Sequence, residues 1–266
     1  MKYKMIVLDL DDTLLNDHLV VSDDNIKALK EAHDAGMIIT LCSGRVSQSI
    51  ARIMKDIGLH TDTDYYISYN GVIINNGQDD RIFYKPLEGQ ILQEFIELGR
   101  QYDVDIQLYK GDDVVVEKYT PRTKAYENMS QIKVKLVDDF KVYDDTIKVL
   151  YNGDNIEALE EMKTHIQRKY DDQVHVFFSK PTYLEVINKE ANKGLALAYL
   201  ADYLQIKQEE IIAVGDSMND IYMIEYAGMG VAVRNAREEV KEIANYITKS
   251  TNHEHAVSEV IHKFVL

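Results

Sequence analysis

Asp9 and Asp11 flank a single leucine at the end of an apolar run, Met5-Ile-Val-Leu8, and Asp12 follows at once. Residues 5–8 read as a buried strand, and charge begins where that strand must stop. Side chains two apart on an extended chain share a face, so the two carboxylates would project together. Held about 4 Å apart, they repel by roughly 4 kcal/mol at an effective dielectric of 20. Such a pair needs a proton, a cation or open solvent, and a solvated strand end would suffice if the segment stood alone. It is repeated far along the chain, where Ile211-Ile-Ala-Val214 runs into Gly215-Asp216-Ser217-Met218-Asn219-Asp220. Ser217 or Asn219 suits the cap of a following helix, and Asp220 its first turn. Asp216 falls outside that explanation, because it precedes the helix beside a glycine that lets a ligand approach. If both strands lie in one parallel sheet, Asp9, Asp11 and Asp216 converge at the strand ends, where open α/β sheets bind ligands. Oxygen ligands with open positions suit Mg²⁺.

Two further segments could supply positive groups. Met37-Ile-Ile-Thr-Leu-Cys42 is another strand, ending in Ser43-Gly44-Arg45 before a helical pattern at Ile50, Ile53, Met54 and Ile57. A hydroxyl and a free N–H at a strand-to-helix turn can hold a phosphate oxygen, although taken alone the segment reads better as an ordinary N-cap turn. Lys193 follows Glu190-Ala-Asn192 and starts a helix over 194–204. A lysine is misplaced at a helix start unless something anionic holds it.

The elements that must carry these residues alternate. Residues 1–82 read strand, helix (capped by Ser22, ended by Gly36), strand, helix (ended by Gly58), strand at 65–69. The alternation resumes from Lys193, with strands at 211–214, 230–233 and 246–248 and helices between. That order predicts an α/β fold with a Rossmann-like parallel sheet and helices on both faces. Residues 83–187 differ: an amphipathic helix near 91–98, short strands at 105–109 and 113–117 joined through Lys110-Gly111-Asp112, a strand at 147–151, a helix from Ile156, and strands at 173–178 and 183–187. They form an inserted α+β domain, which leaves 1–82 and 188–266 as the core.

The set Asp9-x-Asp11-x-Thr13-Leu, Ser43-Gly-Arg, Lys193 and Gly215-Asp216-x-x-Asn219-Asp220 resembles the phosphatase branch of the haloacid dehalogenase (HAD) superfamily, and four motifs in order make the match specific. Tyr69-Asn70-Gly71-Val72 and Tyr183-Leu-Glu185-Val-Ile187 narrow the resemblance to the Cof-type hydrolases, over essentially the whole chain. The resemblance implies a Mg²⁺-dependent phosphatase of small phosphomonoesters, such as sugar phosphates, acting through an aspartyl-phosphate. Asp9 would be the nucleophile and Asp11 the general acid and base. Asp9, Asp216 and the Asp11 backbone carbonyl would hold the metal, and Leu10, Ser43, Gly44, Lys193 and Asn219 the phosphate. Asp220, Arg45 and Asn70 would support these groups or meet the substrate. The insertion would be a mobile cap that selects substrates, with Phe178-Ser179-Lys180-Pro181 as a turn at its tip. Three residues depart from the family pattern: Asp12 and His255, where glycine is commoner, and Arg234.

Composition bounds the alternatives. The 266 residues carry 45 acids against 30 bases, a net charge of −15, which disfavours nucleic acid and anionic membranes as partners. A long-range field of that sign also repels phosphate esters, so Arg45, Lys193 and the metal must outweigh it locally. The single cysteine, Cys42, excludes an internal disulfide and reads as core packing. No apolar run reaches membrane-spanning length, and a cytoplasmic protein is expected. The partner implied is a small phosphorylated metabolite, and nothing in the chain specifies an oligomeric state. A response-regulator receiver shares the acids, the Mg²⁺ and the lysine but is far shorter and lacks an insertion. A non-catalytic sensor of phosphorylated ligands and a phosphomutase stay open. The interval from Asp11 to Ser43, one loop and one helix, favours a hydrolase over a mutase.

Overall fold

The computed structural model describes residues 2–111, 113–130 and 132–266. Asp112, in the expected Lys110-Gly111-Asp112 connection, lies outside the described residues. The chain divides into two compact units, one running to Tyr84 and resuming over Asn192–Leu266, the other Lys85–Ala191.

The first unit opens with β1 (Met5–Leu8), buried at all four residues, as a strand covered on both faces must be. The hydroxyl of Ser22 accepts the Asn25 N–H and starts α1 (Asp23–Asp34), with Asp23 and Asp24 favoured by the dipole of the first turn. β2 (Ile38–Cys42) leads to α2 (Ser47–Ile57), which buries Ile50, Met54 and Ile57 along one stripe and stops at Gly58, φ 77°. After β3 (Tyr65–Ser68) only the four residues Tyr69, Asn70, Gly71 and Val72 intervene before the next strand, too few for a parallel crossover. β4 (Ile73–Asn76) and β5 (Arg81–Tyr84) therefore run antiparallel, extending the parallel core by an edge that the strand–helix alternation does not announce.

The inserted unit comprises β6 (Leu87–Glu88), α3 (Gly89–Arg100), β7 (Asp105–Lys110), β8 (Asp113–Val116), α4 (Pro121–Ser130), β9 (Val134–Leu136), β10 (Asp145–Thr146), β11 (Val149–Asn152), α5 (Ile156–Tyr170), β12 (Val174–Lys180) and β13 (Tyr183–Asn188). Its main sheet has the order β12-β13-β11-β7-β8-β9. Phe95 and Ile96 of α3 and Leu159, Met162 and Ile166 of α5 pack on Leu108, Val149, Tyr151 and Val186 to make a core of its own. Alternate residues face the other way and mix apolar and polar groups: Leu150 and Val114 lie there, and Lys148 Nζ lies 2.8 Å from Glu185 Oε2 and 4.4 Å from the centre of the Tyr109 ring. The turn expected at 178–181 is corrected to begin later. β12 continues through Lys180 because a register shift between Phe178 and Lys180 absorbs one residue.

The first unit resumes with α6 (Lys193–Tyr203), β14 (Ile211–Gly215), α7 (Ile221–Tyr226), β15 (Met229–Ala232), α8 (Glu238–Ile243), β16 (Tyr246–Ile247) and α9 (Ala256–Phe264). Its eight-stranded sheet runs β16-β15-β14-β1-β2-β3-β4-β5, parallel from β16 to β3. Steps from β1 to β3 go one way across the sheet, and steps from β14 to β16 go the other. With right-handed crossovers, α1 and α2 fall on one face and α7 and α8 on the opposite one. α9 packs on α1, and α6 packs on α7. The direction reverses between β1 and β14, so the crevice beyond their carboxyl ends is the ligand position of a doubly wound sheet.

Candidate active site

Register brings the acids together. Leu8 pairs with Val214 on one side and Leu41 on the other, so Asp9 stands level with Gly215 and Cys42. Asp216 and Ser43 come one residue later. Asp9, Asp216 and Asp220 each offer a carboxylate oxygen within 4.8 Å of the others. A side chain at Gly215 would place its Cβ 2.6 Å from Asp220 Cβ, so only glycine lets Asp220 pack back against the end of β14.

Lys193 is the buried counter-charge. It is 0% exposed, and its Nζ donates to Asp9 Oδ1 at 2.5 Å and Asp220 Oδ1 at 2.6 Å. Burial works to lower its pKa, but the Asp220 and Asp9 carboxylates outweigh it and hold the ammonium charged. The other Asp220 oxygen accepts the Asp216 and Ser217 N–H groups, both at 3.0 Å. Asp220 is thus saturated and orients Lys193. Asp9 Oδ2 and Asp216 Oδ2 have no donor among the described residues. Burial, and next the nearby Asp220 charge, push Asp9 well above its ordinary pKa. The same two causes push Asp216 up to about 6. Three neighbouring carboxyls, two of them with raised pKa values, share one buried ammonium, so positive charge is in deficit. Their donor set fits a hard divalent cation. Cys42, alongside, has its thiol pushed up by burial and stays a packing residue.

Asp11 points elsewhere. Arg45 Nε donates to its Oδ2 at 2.9 Å and Arg45 Nη2 to its Oδ1 at 2.5 Å, a bidentate pair that keeps the Asp11 carboxylate out of the three-acid cluster. The Asp11 hydrogen bond with its nearest cation is also the first cause raising Arg45. Ser43 is buried, its hydroxyl accepting the Arg45 N–H at 3.2 Å, and Asn219 Nδ2 donates to Asn70 Oδ1 at 3.0 Å. Leu10 buries its side chain and leaves only its backbone for a ligand. The Gly44 turn lies against the Asn70 amide.

Some supporting residues gave weaker signals. Thr13 lies inside the first motif, and its Oγ1 donates to Asp216 Oδ1 at 3.0 Å, tying the two acidic strand ends together. Asn235 Nδ2 donates to the Asp12 carbonyl at 2.7 Å, while its Oδ1 accepts the Asn252 N–H at 3.0 Å. Asn252 Nδ2 in turn donates to the Leu15 carbonyl at 3.0 Å. These amides fix the loop after β1, and nothing local in the sequence announces partners more than 200 residues away. Asp12 and His255 have φ of 59° and 65°, which explains why glycine suits both positions. His255 Nδ1 lies 2.8 Å from the Ser22 hydroxyl, a contact glycine would forfeit. Arg234 pairs with Glu254 at 2.7 Å and donates to the Lys249 carbonyl. Among the described residues, no helix is long and apolar enough to cross a membrane.

Residues 6–261 match the model of the haloacid dehalogenase-like hydrolases. The Bacillus subtilis (strain 168) protein YxeH is 34% identical over 99% of this chain and 99% of its own length. The 5-amino-6-(5-phospho-D-ribitylamino)uracil phosphatase YcsE of the same organism is 31% identical over 99% of this chain and 96% of its own. A crystal structure of a haloacid dehalogenase-like hydrolase from Bacteroides thetaiotaomicron superposes with a TM-score of 0.88 at 32% identity, covering 98% of this chain and 99% of that one. Strand-end acids at the reversal of a doubly wound sheet, a buried lysine between them, and similarity along the whole length lead to one conclusion: the chain belongs to the haloacid dehalogenase-like hydrolase family.

Proposed function

We propose that the protein is a Mg²⁺-dependent phosphatase of small phosphomonoesters that works through an aspartyl-phosphate on Asp9. The observation that carries this reading is the state of Asp9: Lys193 holds one of its oxygens, and its carboxylate belongs to a cluster with Asp216 and Asp220 that could hold a cation. One carboxylate oxygen of Asp9 attacks phosphorus as the ester oxygen departs, splitting one hydrolysis into two displacements. Asp11 gives its proton to the departing alkoxide and then takes one from the water that cleaves the acyl phosphate. Both Asp11 oxygens are engaged by Arg45, so this role requires Asp11 to leave Arg45 during turnover. Lys193, the Ser43 hydroxyl, the Gly44 and Leu10 N–H groups and Asn219 hold phosphoryl oxygens, where positioning and charge do most of the work. Asp9, Asp216 and the Asp11 carbonyl would hold the Mg²⁺, which supplies charge neutralisation between a carboxylate nucleophile and a dianion. Asp220 keeps Lys193 in place.

We propose the inserted unit as the substrate-selecting cap; Lys148, Glu185 and Tyr109 are buried within it and so support its sheet from inside rather than meeting a substrate. YcsE is named for a phosphorylated ribityl compound, so that ester and sugar phosphates belong in one panel. Phosphate release is measured with Mg²⁺ and with EDTA, for the wild type and Asp9→Asn. Release that needs Mg²⁺ and vanishes in Asp9→Asn is expected. A folded, Mg²⁺-binding protein that releases phosphate from no ester would favour a sensor of phosphorylated ligands.

A further inference from the structure

Between β3 and β4 the chain turns through Tyr69, Asn70 and Gly71, with φ of 53°, 58° and 108°. A left-handed conformation is strained for a non-glycine residue, and asparagine is among the side chains that bear it best. Two such residues in succession persist only where surrounding contacts over-determine them. The contacts are present. The Tyr69 N–H donates to the Arg45 carbonyl and the Asn70 N–H to the Ser43 carbonyl, both at 3.0 Å. A Cβ on Gly71 would stand 2.4 Å from the carbonyl oxygen of Asn192, the residue before Lys193. The turn is thus strapped across Ser43-Gly44-Arg45 and pressed against the start of α6.

The Asn70 side chain completes the connection. Its Oδ1 accepts from Asn219 Nδ2 at 3.0 Å, and both ends of its amide lie 3.1 Å from where a Gly44 Cβ would stand. One amide therefore touches both turns to which the phosphatase reading assigns phosphoryl contacts, although Asn70 and Asn219 are 149 residues apart. Without it, the Asn219 amide would rotate freely, and an exposed rotor loses orientation that a bound anion would have to restore.

We propose that Asn70 is a positioning residue that locks Asn219 and the Gly44 turn into a single rigid anion cup, a role that rests on the phosphatase reading. The left-handed backbone is what aims its amide at Asn219. The test is a double-mutant cycle on Asn70→Gly and Asn219→Ala, read as the affinity for orthovanadate in the presence of Mg²⁺. Glycine is at home at φ 58°, so Asn70→Gly should keep the wild-type Tm while losing the amide. Each single variant should weaken vanadate about 10- to 100-fold, since misplacing a binding group by about 1 Å can cost that much. The double variant should be no weaker than the worse single one, because Asn70 acts through Asn219. Wild-type affinity in Asn70→Gly with Asn219→Ala impaired, or losses that multiply in the double variant, would overturn the role of Asn70 and leave the phosphatase reading standing. A wild-type protein that binds no vanadate would overturn both.

Discussion

The acidic cluster trades stability for a binding site at two oxygens. Asp216 has a folded pKa of about 6 against an ordinary value of 3.8. The folded state therefore binds more protons than the unfolded one between those values, and this residue's contribution to stability falls as pH rises through the window. The penalty is complete above about pH 6 and is on the order of 2–3 kcal/mol at about 1.4 kcal/mol per unit. In EDTA, Asp216→Asn should be more stable than wild type at pH 8, by about 1–3 kcal/mol, because Thr13 can still donate to the amide oxygen. Chemical denaturation at several pH values checks this: the advantage should vanish towards pH 4. An advantage that persists there would mean that charge is not its cause. Mg²⁺ should raise the Tm of the wild type and not of the variant. Lys193→Met has the opposite sign. It strands the buried Asp9 and Asp220 carboxylates and should cost about 3–5 kcal/mol at neutral pH, with less loss as the pH falls, because burial raises the pKa of Asp9 and favours its protonated form.

At the scale of elements, the site depends on parallel register and on close approach. Gly215→Ala places a methyl group against Asp220, so β14 or the following turn must shift. The expected result is a loss of about 1–3 kcal/mol and Mg²⁺ binding weakened more than tenfold, measured by calorimetry. Wild-type Mg²⁺ affinity would show that the turn is not tightly packed. The same elements show what the sequence makes legible. Asp9 and Asp216 stand out because apolar runs of four end abruptly in charge, and Lys193 because a helix start is a poor place for a lysine. The β4–β5 hairpin is hidden, since no helical pattern separates it from β3. α4 is hidden because only Thr123 and Tyr126 of its ten residues are buried, too few to set a period. The Arg45–Asp11 pair and the Asn70–Asn219 bridge join distant segments, and no local pattern encodes them.

At the scale of the molecule, two hydrophobic cores belong to two compact units, one with the acidic site and one inserted. Each core should respond to its own mutations. Phe95, wholly buried in the inserted core, contributes a large apolar surface there. Phe95→Ala should remove about 3–5 kcal/mol from the inserted unit. Amide exchange should then quicken across residues 85–191 while residues 5–42 and 211–232 keep their protection, and uniform quickening would mean that the units unfold as one. The net charge of −15 adds a constraint on turnover. A dianionic ester approaches against the long-range field, so added salt should raise its association rate.

The central claim is that Asp9 becomes phosphorylated, and the direct measurement is acid quench of the protein during turnover of a phosphomonoester, followed by mass spectrometry of the peptide that contains Asp9. A phosphoryl group on Asp9 in the wild type, absent in Asp9→Asn and accumulating when Asp11→Asn slows its hydrolysis, is the predicted result. Steady phosphate release with Asp9 unmodified, or turnover retained in Asp9→Asn, would contradict it.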